Sequence, residues 1–270
     1  MRHEIRYGKA GIRAYRAYGG SRPLFGTETT VEVFGQSFLP SYTEGDNSNV
    51  VATDTMKNFT YAALLEFDGD SHEEWCIQLG NRFLDTYPQM EWLRIREREL
   101  PFVPHSKKLL SGPVADAPHG IVELEIGREG VRRLEGGVHG LKLVKLTGSA
   151  FKAFQRDRYT TLPERQDRPL YVFCDVGWRY FGNARPLDPH VVAAECVEIF
   201  DGFVSLSIQH LLNEFGRLLL QYHPEAETFS FEAQNRLWDT SAESPDDPRR
   251  KVYSDPKPAH GLIGLTVRRS

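Results

Sequence analysis

Strand patterns and helix patterns follow one another in the same order in the two halves of the chain, and this repeat constrains the fold more than any other feature. In the first half, the segment SHEEWCIQLGNRFLDTY places large apolar residues at helical spacing behind Ser71, which is a favoured N-cap residue. In the second half, SLSIQHLLNEFGRLLLQYH shows the same period. Strand-like segments flank each of these helices, so the sequence predicts two similar units.

Segments rich in β-branched and aromatic residues surround both helices and have the composition of strands. The alternation is clearest in EWLRIREREL, where Leu93, Ile95 and Glu97 fall on one side of the predicted strand and arginines fall on the other. Further strands are predicted in GIVELEIG, LKLVKLTG and HGLIGLTVRR, and at 6–18, 29–40, 48–53, 141–147, 169–180 and 226–233.

Segments rich in glycine or proline separate the predicted strands. GREG and EGGVHG are predicted as turns, and SAESPDDPRRKVYSDPKPAHG is predicted as a surface loop. A helix at roughly 190–200 precedes the longer helix of the second half. These patterns predict an α+β protein in which helices pack on one face of antiparallel sheet. The repeat places the first unit at residues 1–135 and the second at 136–270.

The composition excludes several classes of protein. The net charge of −4 lacks the basic excess that is typical of nucleic-acid binders. No apolar run approaches the ~18 residues of a membrane span, and the segment MRHEIRYGKAG has no apolar core of the kind that a secretory signal requires. The three cysteines form no CxxC pair, and no Gly-rich dinucleotide turn is present. We therefore expect a cytoplasmic protein without a disulfide framework, a structural metal or a flavin.

Several segments resemble the signature segments of the urate oxidase (uricase) family and occur in the order of that family. The two long ones are the specific ones, since a chance match to both in the right order is very improbable. The segments are YGK at 7–9, SYTEGDNSNVVATDTMKN at 41–58, FKAFQRDRYTTLPERQDR at 151–168, SIQ at 207–209 and HGLI at 260–263. The resemblance implies the tunnelling fold, with two tandem units in each subunit, and a homotetramer whose active sites lie between subunits.

The resemblance also implies a reaction. Urate is a flat, acidic and electron-rich heterocycle that can reduce dioxygen without a metal or a flavin. Family members convert it to a 5-hydroxylated product and hydrogen peroxide. A protein that catalyses this oxidation needs an aromatic ring for stacking, a planar polar clamp, a route for protons and a dry pocket for dioxygen.

Four residues of the second half match the substrate-binding residues of the family. Phe151 matches the stacking ring, and Arg168 matches the arginine whose planar N–H donors clamp the substrate. Gln209 matches the amide that contacts the other edge of the heterocycle, and Ile208 stands at a position of backbone contact. Taken singly, these residues are better explained as a core phenylalanine, a surface ion pair and the exposed start of a helix. The joint match overturns those interpretations.

Lys9 and Thr53 match the proton relay of the family. A lysine beside a hydroxyl can accept a proton through that hydroxyl when it is held partly neutral by burial. Taken singly, Lys9 reads as a solvated lysine and Thr53 as a strand cap. The segment VVATDT is predicted as a strand that ends at the site and presents Thr53 and Asp54 to the pocket of a neighbouring subunit.

One position departs from the family. The family has an Asn-x-His arrangement, and the segment AQNRLW keeps Asn235 but has Leu237 where the histidine is expected. Leucine cannot transfer a proton near neutral pH, as histidine does. Alternation along a strand predicts that Leu237 faces the same cavity as Asn235.

Three functions follow from this departure. The first is a urate oxidase with a shortened relay. The second is a related oxidase of an alkylated or 8-oxo heterocycle that contacts Leu237. The third is a purine-binding protein without catalysis. Retention of the other matched residues weighs against the third, and oxidation of urate or a urate-like purine ranks first.

Overall fold

The chain, described by a computed structural model over residues 3–182, 184–255 and 257–269, forms two compact units. The first unit is Met1–Gly137 with Arg185–Pro189, and the second is Val138–Ala184 with His190–Ser270. Within the described residues, no helix is both long enough and apolar enough to cross a membrane.

The first unit is an antiparallel sheet with two long helices. Four strands pair in the order β1, β2, β3, β6, with the short β4–β5 hairpin beside them. The strands are β1 (Tyr7–Ala17), β2 (Leu24–Phe34), β3 (Trp92–Glu99), β4 (Val103–Pro104), β5 (Leu110–Ser111) and β6 (His119–Gly127). The helices are α1 (Leu39–Thr43), α2 (Thr53–Leu65) and α3 (His72–Thr86).

One face of this sheet forms the core of the first unit. Leu93 and Ile95 of β3 are fully buried and join a cluster with apolar residues of α2 and α3, as the alternation of the strand predicts. Glu97, on the same side, is also buried, and one of its carboxylate oxygens lies 2.7 Å from His72 and from Thr27. The opposite face carries cross-strand ion pairs, such as Arg94 with Glu125 at 2.8 Å. The helices therefore cover the apolar face and leave the charged one uncovered within this unit.

The second unit repeats this plan. Strands β8 (Leu170–Tyr180), β9 (Ala226–Asn235) and β12 (Gly261–Arg268) pair in that order and are antiparallel. Helix α5 (Ile208–Tyr222) buries the apolar face that the sequence predicts, and α4 (Pro189–Gly202) covers the helix expected near 190–200. The α+β prediction is confirmed.

Both long helices begin behind a serine cap, of which the sequence analysis predicts Ser71. The hydroxyl oxygen of Ser71 accepts the backbone N–H of Glu74 at 3.2 Å, and that of Ser207 accepts the backbone N–H of His210 at 3.1 Å. Such caps satisfy N–H groups that have no partner inside the helix. The Ser207 cap fixes where α5 starts, and thereby places Ile208 and Gln209 in its first turn.

The strand predicted at 48–53 is wrong. Residues 50–52 are irregular, and Thr53 begins α2 behind Ala52, which supplies no side-chain cap. Val51 is buried, but its backbone N–H donates to the Tyr7 hydroxyl at 3.1 Å instead of to a neighbouring strand. The two β-branched residues before Ala52 therefore pack against the core and do not form a strand.

Three other predictions are corrected by tertiary pairing. The strand expected at 29–40 begins at Leu24 and ends at Phe34, before a 3-10 turn and α1. The predicted turn EGGVHG lies inside β7 (Gly130–Lys145), because pairing along this long strand outweighs the weak strand propensity of its glycines. The predicted surface loop contains a hairpin of β10 (Asp239–Glu243) and β11 (Lys251–Ser254).

Gly80 lies where α3 packs on the sheet, and its replacement by alanine tests that packing. An added Cβ would lie 2.7 Å from Ile126 Cγ2. We expect Gly80→Ala to lower the free energy of unfolding by roughly 1–3 kcal/mol, although alanine favours a helix. Gly202→Ala at the end of α4 is the control, because no described atom lies within 4 Å of its added Cβ. Chemical denaturation checks both, and equal stability of the two variants would contradict the close contact.

Candidate active site

Two buried serines join the loop that contains Phe151 to the segment before α5. Ala150 donates its backbone N–H to the Ser205 carbonyl at 2.8 Å, and Ser205 donates its N–H to the Gly148 carbonyl at 3.1 Å. The Ser205 hydroxyl donates to the Ser149 hydroxyl at 3.1 Å. These contacts fix Phe151 beside the N-terminus of α5. No sequence pattern predicts these contacts, because a buried serine pair leaves no periodic signal.

Phe151 and Arg168 lie side by side in the second unit. The backbone of Phe151 exchanges two hydrogen bonds of 2.9 Å with Arg165, and the Arg168 N–H donates to the Ser149 carbonyl at 2.9 Å. The Arg168 guanidinium carbon is 5.4 Å from the centre of the Phe151 ring. The structure therefore brings together the predicted stacking ring and the predicted clamp.

The Arg168 guanidinium is half-buried and lacks part of its hydrogen bonding. In the described part of the chain, no acceptor bonds its buried Nε atom. Burial, and next the positive charge of Arg165, lower the pKa of Arg168 from its ordinary value. A buried donor without an acceptor costs free energy unless a ligand supplies the acceptor. Arg168 is thus arranged to bind an acceptor from outside the chain.

Asp167 shapes the loop around Arg168. Its carboxylate accepts the Thr147 hydroxyl at 2.5 Å and the backbone N–H groups of Gly148 at 2.8 Å and Ser149 at 3.3 Å. The Thr147 hydroxyl has the largest effect and lowers the pKa of the carboxyl; burial opposes it, and the backbone donors each add a smaller lowering. The Asp167 carboxylate is occupied by these donors of the turn. The adjacent Arg168 guanidinium therefore remains available to other acceptors.

Asn235 and the start of α5 lie at the same end of the second unit. Asn235 ends β9 and pairs with Val172 of β8, four residues after Arg168. Its Oδ1 atom is buried and has no hydrogen-bond partner among the described residues. Ile208 is buried, and Gln209 is exposed in the first turn of α5. The first N–H groups of a helix have no acceptor within it, so this end of the unit offers donors as well.

Leu237 does not belong to the strand that the alternation argument assumes. Strand β9 ends at Asn235, and Leu237 lies two residues beyond it in irregular backbone. Arg236 donates its N–H to the Tyr171 carbonyl at 2.9 Å, and the Trp238 ring packs against the Tyr171 ring at 5.4 Å. These contacts set the path of the backbone at the half-buried Leu237, and the pleat of a strand does not.

Lys9, Thr53 and Asp54 belong to the first unit. Lys9 is half-buried on β1 beside an irregularity in the pairing with β2, and Thr53 and Asp54 are exposed in the first turn of α2. The Lys57 ammonium lies 2.5 Å from Asp54 and is the main reason why the pKa of Asp54 is lowered. The charge of Lys9 adds a smaller lowering of the pKa of Asp54. The Tyr7–Val51 hydrogen bond holds β1 beside the start of α2.

Two antiparallel α+β units, with an aromatic ring beside a half-buried guanidinium whose Nε has no acceptor among the described residues, define a protein with a candidate site for a flat polar ligand. The sequence profile of the uricase family matches residues 5–122 and 134–264. The chain therefore belongs to the uricase family, and its fold is the tunnelling fold of the urate oxidases.

Known relatives match almost the whole chain. Uricase from Haloferax volcanii is 35% identical over 292 residues, which cover 94% of this chain and 95% of that protein. The uric acid degradation bifunctional protein of Bacillus subtilis is 33% identical over 305 residues. That match covers 100% of this chain and 62% of the relative, so the chain spans less than two thirds of that protein. Urate oxidase from Bacillus sp. TB-90 superposes with a TM-score of 0.90 at 30% identity, over 98% of this chain and 100% of that chain.

Asp167→Asn tests the support of the loop. The amide cannot accept the three donors that the carboxylate accepts, so we expect the free energy of unfolding to fall by roughly 1–2 kcal/mol. We also expect weaker binding of the ligand that Arg168 holds. Asp175→Asn is the control, because Asp175 accepts the Gly140 N–H at 2.8 Å elsewhere in the unit. Denaturation and ligand titration check this prediction, and a loss of affinity as large in Asp175→Asn would contradict it.

Proposed function

We propose that the chain catalyses the oxidation of urate by dioxygen without a metal or a flavin. Urate gives two electrons and two protons to dioxygen, which becomes hydrogen peroxide. Water adds its oxygen to C5 and gives the 5-hydroxylated product. The observation that carries this proposal is that the buried Nε of Arg168 has no acceptor among the described residues. The guanidinium carbon of the same side chain lies 5.4 Å from the centre of the Phe151 ring. A planar anion with carbonyl and nitrogen acceptors fits such a donor beside an aromatic ring.

Four residues of the second unit bind the substrate in this proposal. Arg168 donates to a carbonyl and an adjacent anionic nitrogen, and Phe151 stacks on the face of the heterocycle. Gln209 offers an amide donor and acceptor to the other edge, and the backbone at Ile208 adds a contact. The buried Oδ1 of Asn235, which lacks a partner among the described residues, faces the dioxygen site.

Lys9 and Thr53 form the proton route, with Asp54 beside them. We propose that they serve the pocket of a neighbouring subunit in a homotetramer. The support is that β1 and the start of α2 are held together within one unit, where the charge of Lys9 acts on Asp54. Leu237 transfers no proton, so the relay is shorter than in relatives that have the histidine.

The remaining features of the proposal concern the whole chain. Residues 1–135 and 136–270 are taken as the two tunnelling-fold units. The cytoplasm is the proposed location, and its support is that Cys76, Cys174 and Cys196 are buried free thiols. The partners are urate, dioxygen and further copies of the chain.

The test is an aerobic assay of chelator-treated protein with urate, methylated urates and other oxopurines. We expect urate to consume dioxygen and to yield hydrogen peroxide in equal amounts. Turnover only after a metal is added would contradict the cofactor-free reaction. Turnover of a methylated purine in preference to urate would contradict the proposal that urate is the substrate. Binding of urate without oxygen uptake would show a protein that binds purines and does not oxidise them.

Arg168→Lys tests the clamp. Lysine keeps the charge but cannot offer two parallel donors, and a charge-assisted hydrogen bond contributes roughly 1.5–3 kcal/mol. We expect urate to bind about ten-fold more weakly or worse, as measured by titration under anaerobic conditions. Arg165→Lys is the control, because the Arg165 side chain is exposed and its contacts with Phe151 are made by the backbone. Unchanged affinity in Arg168→Lys would place this side chain outside the pocket.

A further inference from the structure

A second aromatic ring lies flat against the stacking residue. The Phe154 ring is parallel to the Phe151 ring within 12°, and the two ring centres are 4.9 Å apart. Stacked aromatic pairs prefer an offset parallel arrangement at such a distance. An aromatic ring has two faces, and Phe154 covers one face of Phe151. Phe154 therefore leaves at most the opposite face of Phe151 for a ligand, and the Arg168 guanidinium carbon lies 5.4 Å from the centre of that ring.

The backbone of the loop is bent to bring Phe154 into this position. Ala153 has a φ of 58°, which lies in the left-handed region that residues other than glycine rarely adopt. Its N–H donates to the Glu164 carboxylate at 2.9 Å, across the loop. This bend folds the chain back on itself, so that Phe154 meets the residue three positions before it. Strained backbone of this kind persists where surrounding contacts hold it and is frequent at functional sites.

The far side of Phe154 is held as well. The Arg156 guanidinium carbon lies 5.5 Å from the centre of the Phe154 ring. Arg156 also donates to the Leu162 carbonyl at 3.2 Å, which ties it to the returning strand of the loop. The result is a layered stack in the order Arg156, Phe154, Phe151, built within one exposed loop.

We propose that Phe154 is a positioning residue that fixes the plane of the Phe151 ring for stacking on the substrate. This inference rests on the proposed function, because it assigns the face of Phe151 opposite Phe154 to the heterocycle, beside the Arg168 guanidinium. Phe151 is only half-buried, so its ring needs a support that the core does not give. Phe154 acts through Phe151 and does not touch the substrate.

The experiment compares two replacements of Phe154 in the full-length protein. Phe154→Leu keeps an apolar side chain without a flat face, and Phe154→Tyr keeps the ring. We expect Phe154→Leu to raise the KM for urate roughly 3- to 10-fold with little change in kcat, because stacking holds the substrate and the transition state alike. We expect Phe154→Tyr to retain the wild-type KM. The control is Tyr159→Leu, which removes a ring that is 73% exposed in the same loop.

A double substitution tests the route of the effect. In a Phe151→Leu background, Phe154→Leu should raise KM no further, since there is no ring left to position. An independent increase in the double variant, or equal kinetics of Phe154→Leu and Phe154→Tyr, would overturn the inference. A lower KM in Phe154→Leu would overturn it as well, because Phe154 would then occupy the face that the substrate needs.

Failure of the proposed function is recognised separately. If the wild-type protein neither binds nor oxidises urate, the proposed function fails, and the positioning role for urate fails with it. The stacked pair is then judged by the unfolding of the wild-type protein, Phe151→Leu, Phe154→Leu and the double variant, which requires no substrate. A coupling between positions 151 and 154 in the denaturation cycle confirms the support of the ring, and additive effects exclude it.

Discussion

The hydrogen bonds between segments 148–150 and 205 are the contacts on which the second unit's site depends. Ser205 receives the Ala150 N–H and donates its own N–H and hydroxyl to Gly148 and Ser149. Both serines are buried, so these bonds form away from competing water. They set the distance between the Phe151 loop and the first turn of α5. Without them the Phe151 ring and the first turn of α5, which contains Gln209, would not be tied to each other by these bonds.

Basic side chains bond the C-terminal ends of helices α3 and α4. Arg128 donates to the carbonyls of Leu84, Tyr87 and Met90 at the end of α3, at 3.0–3.2 Å. Lys145 donates to three carbonyls at the end of α4, at 2.7–2.9 Å. The last carbonyls of a helix lack intrahelical donors and carry a partial negative charge, so a cation there both bonds them and complements the helix dipole. Helices α3 and α4 are thereby each held at the C-terminal end by a cation from another segment of the chain.

The motif residues fall into two groups because the two units supply different chemistry. The second unit contributes donors and an aromatic face, which suit recognition of a planar anion. The first unit contributes Lys9 and the hydroxyl of Thr53, which suit proton transfer. The half-buried Leu237 in the second unit adds an apolar surface where the resemblance to the family predicts a titrating group.

The sequence by itself determined the helices α3 and α5, the Ser71 cap and most strands, because helical period, capping and alternation are local properties. It also indicated Phe151, Arg168 and Asn235, which the structure brings to one end of a unit. The tertiary structure decided that Thr53 begins a helix, since Val51 is held by the core and the Tyr7 hydroxyl. It also decided that Phe154 supports Phe151 and that Leu237 leaves the strand. These features depend on contacts between distant segments, and no local pattern of residue types encodes such contacts.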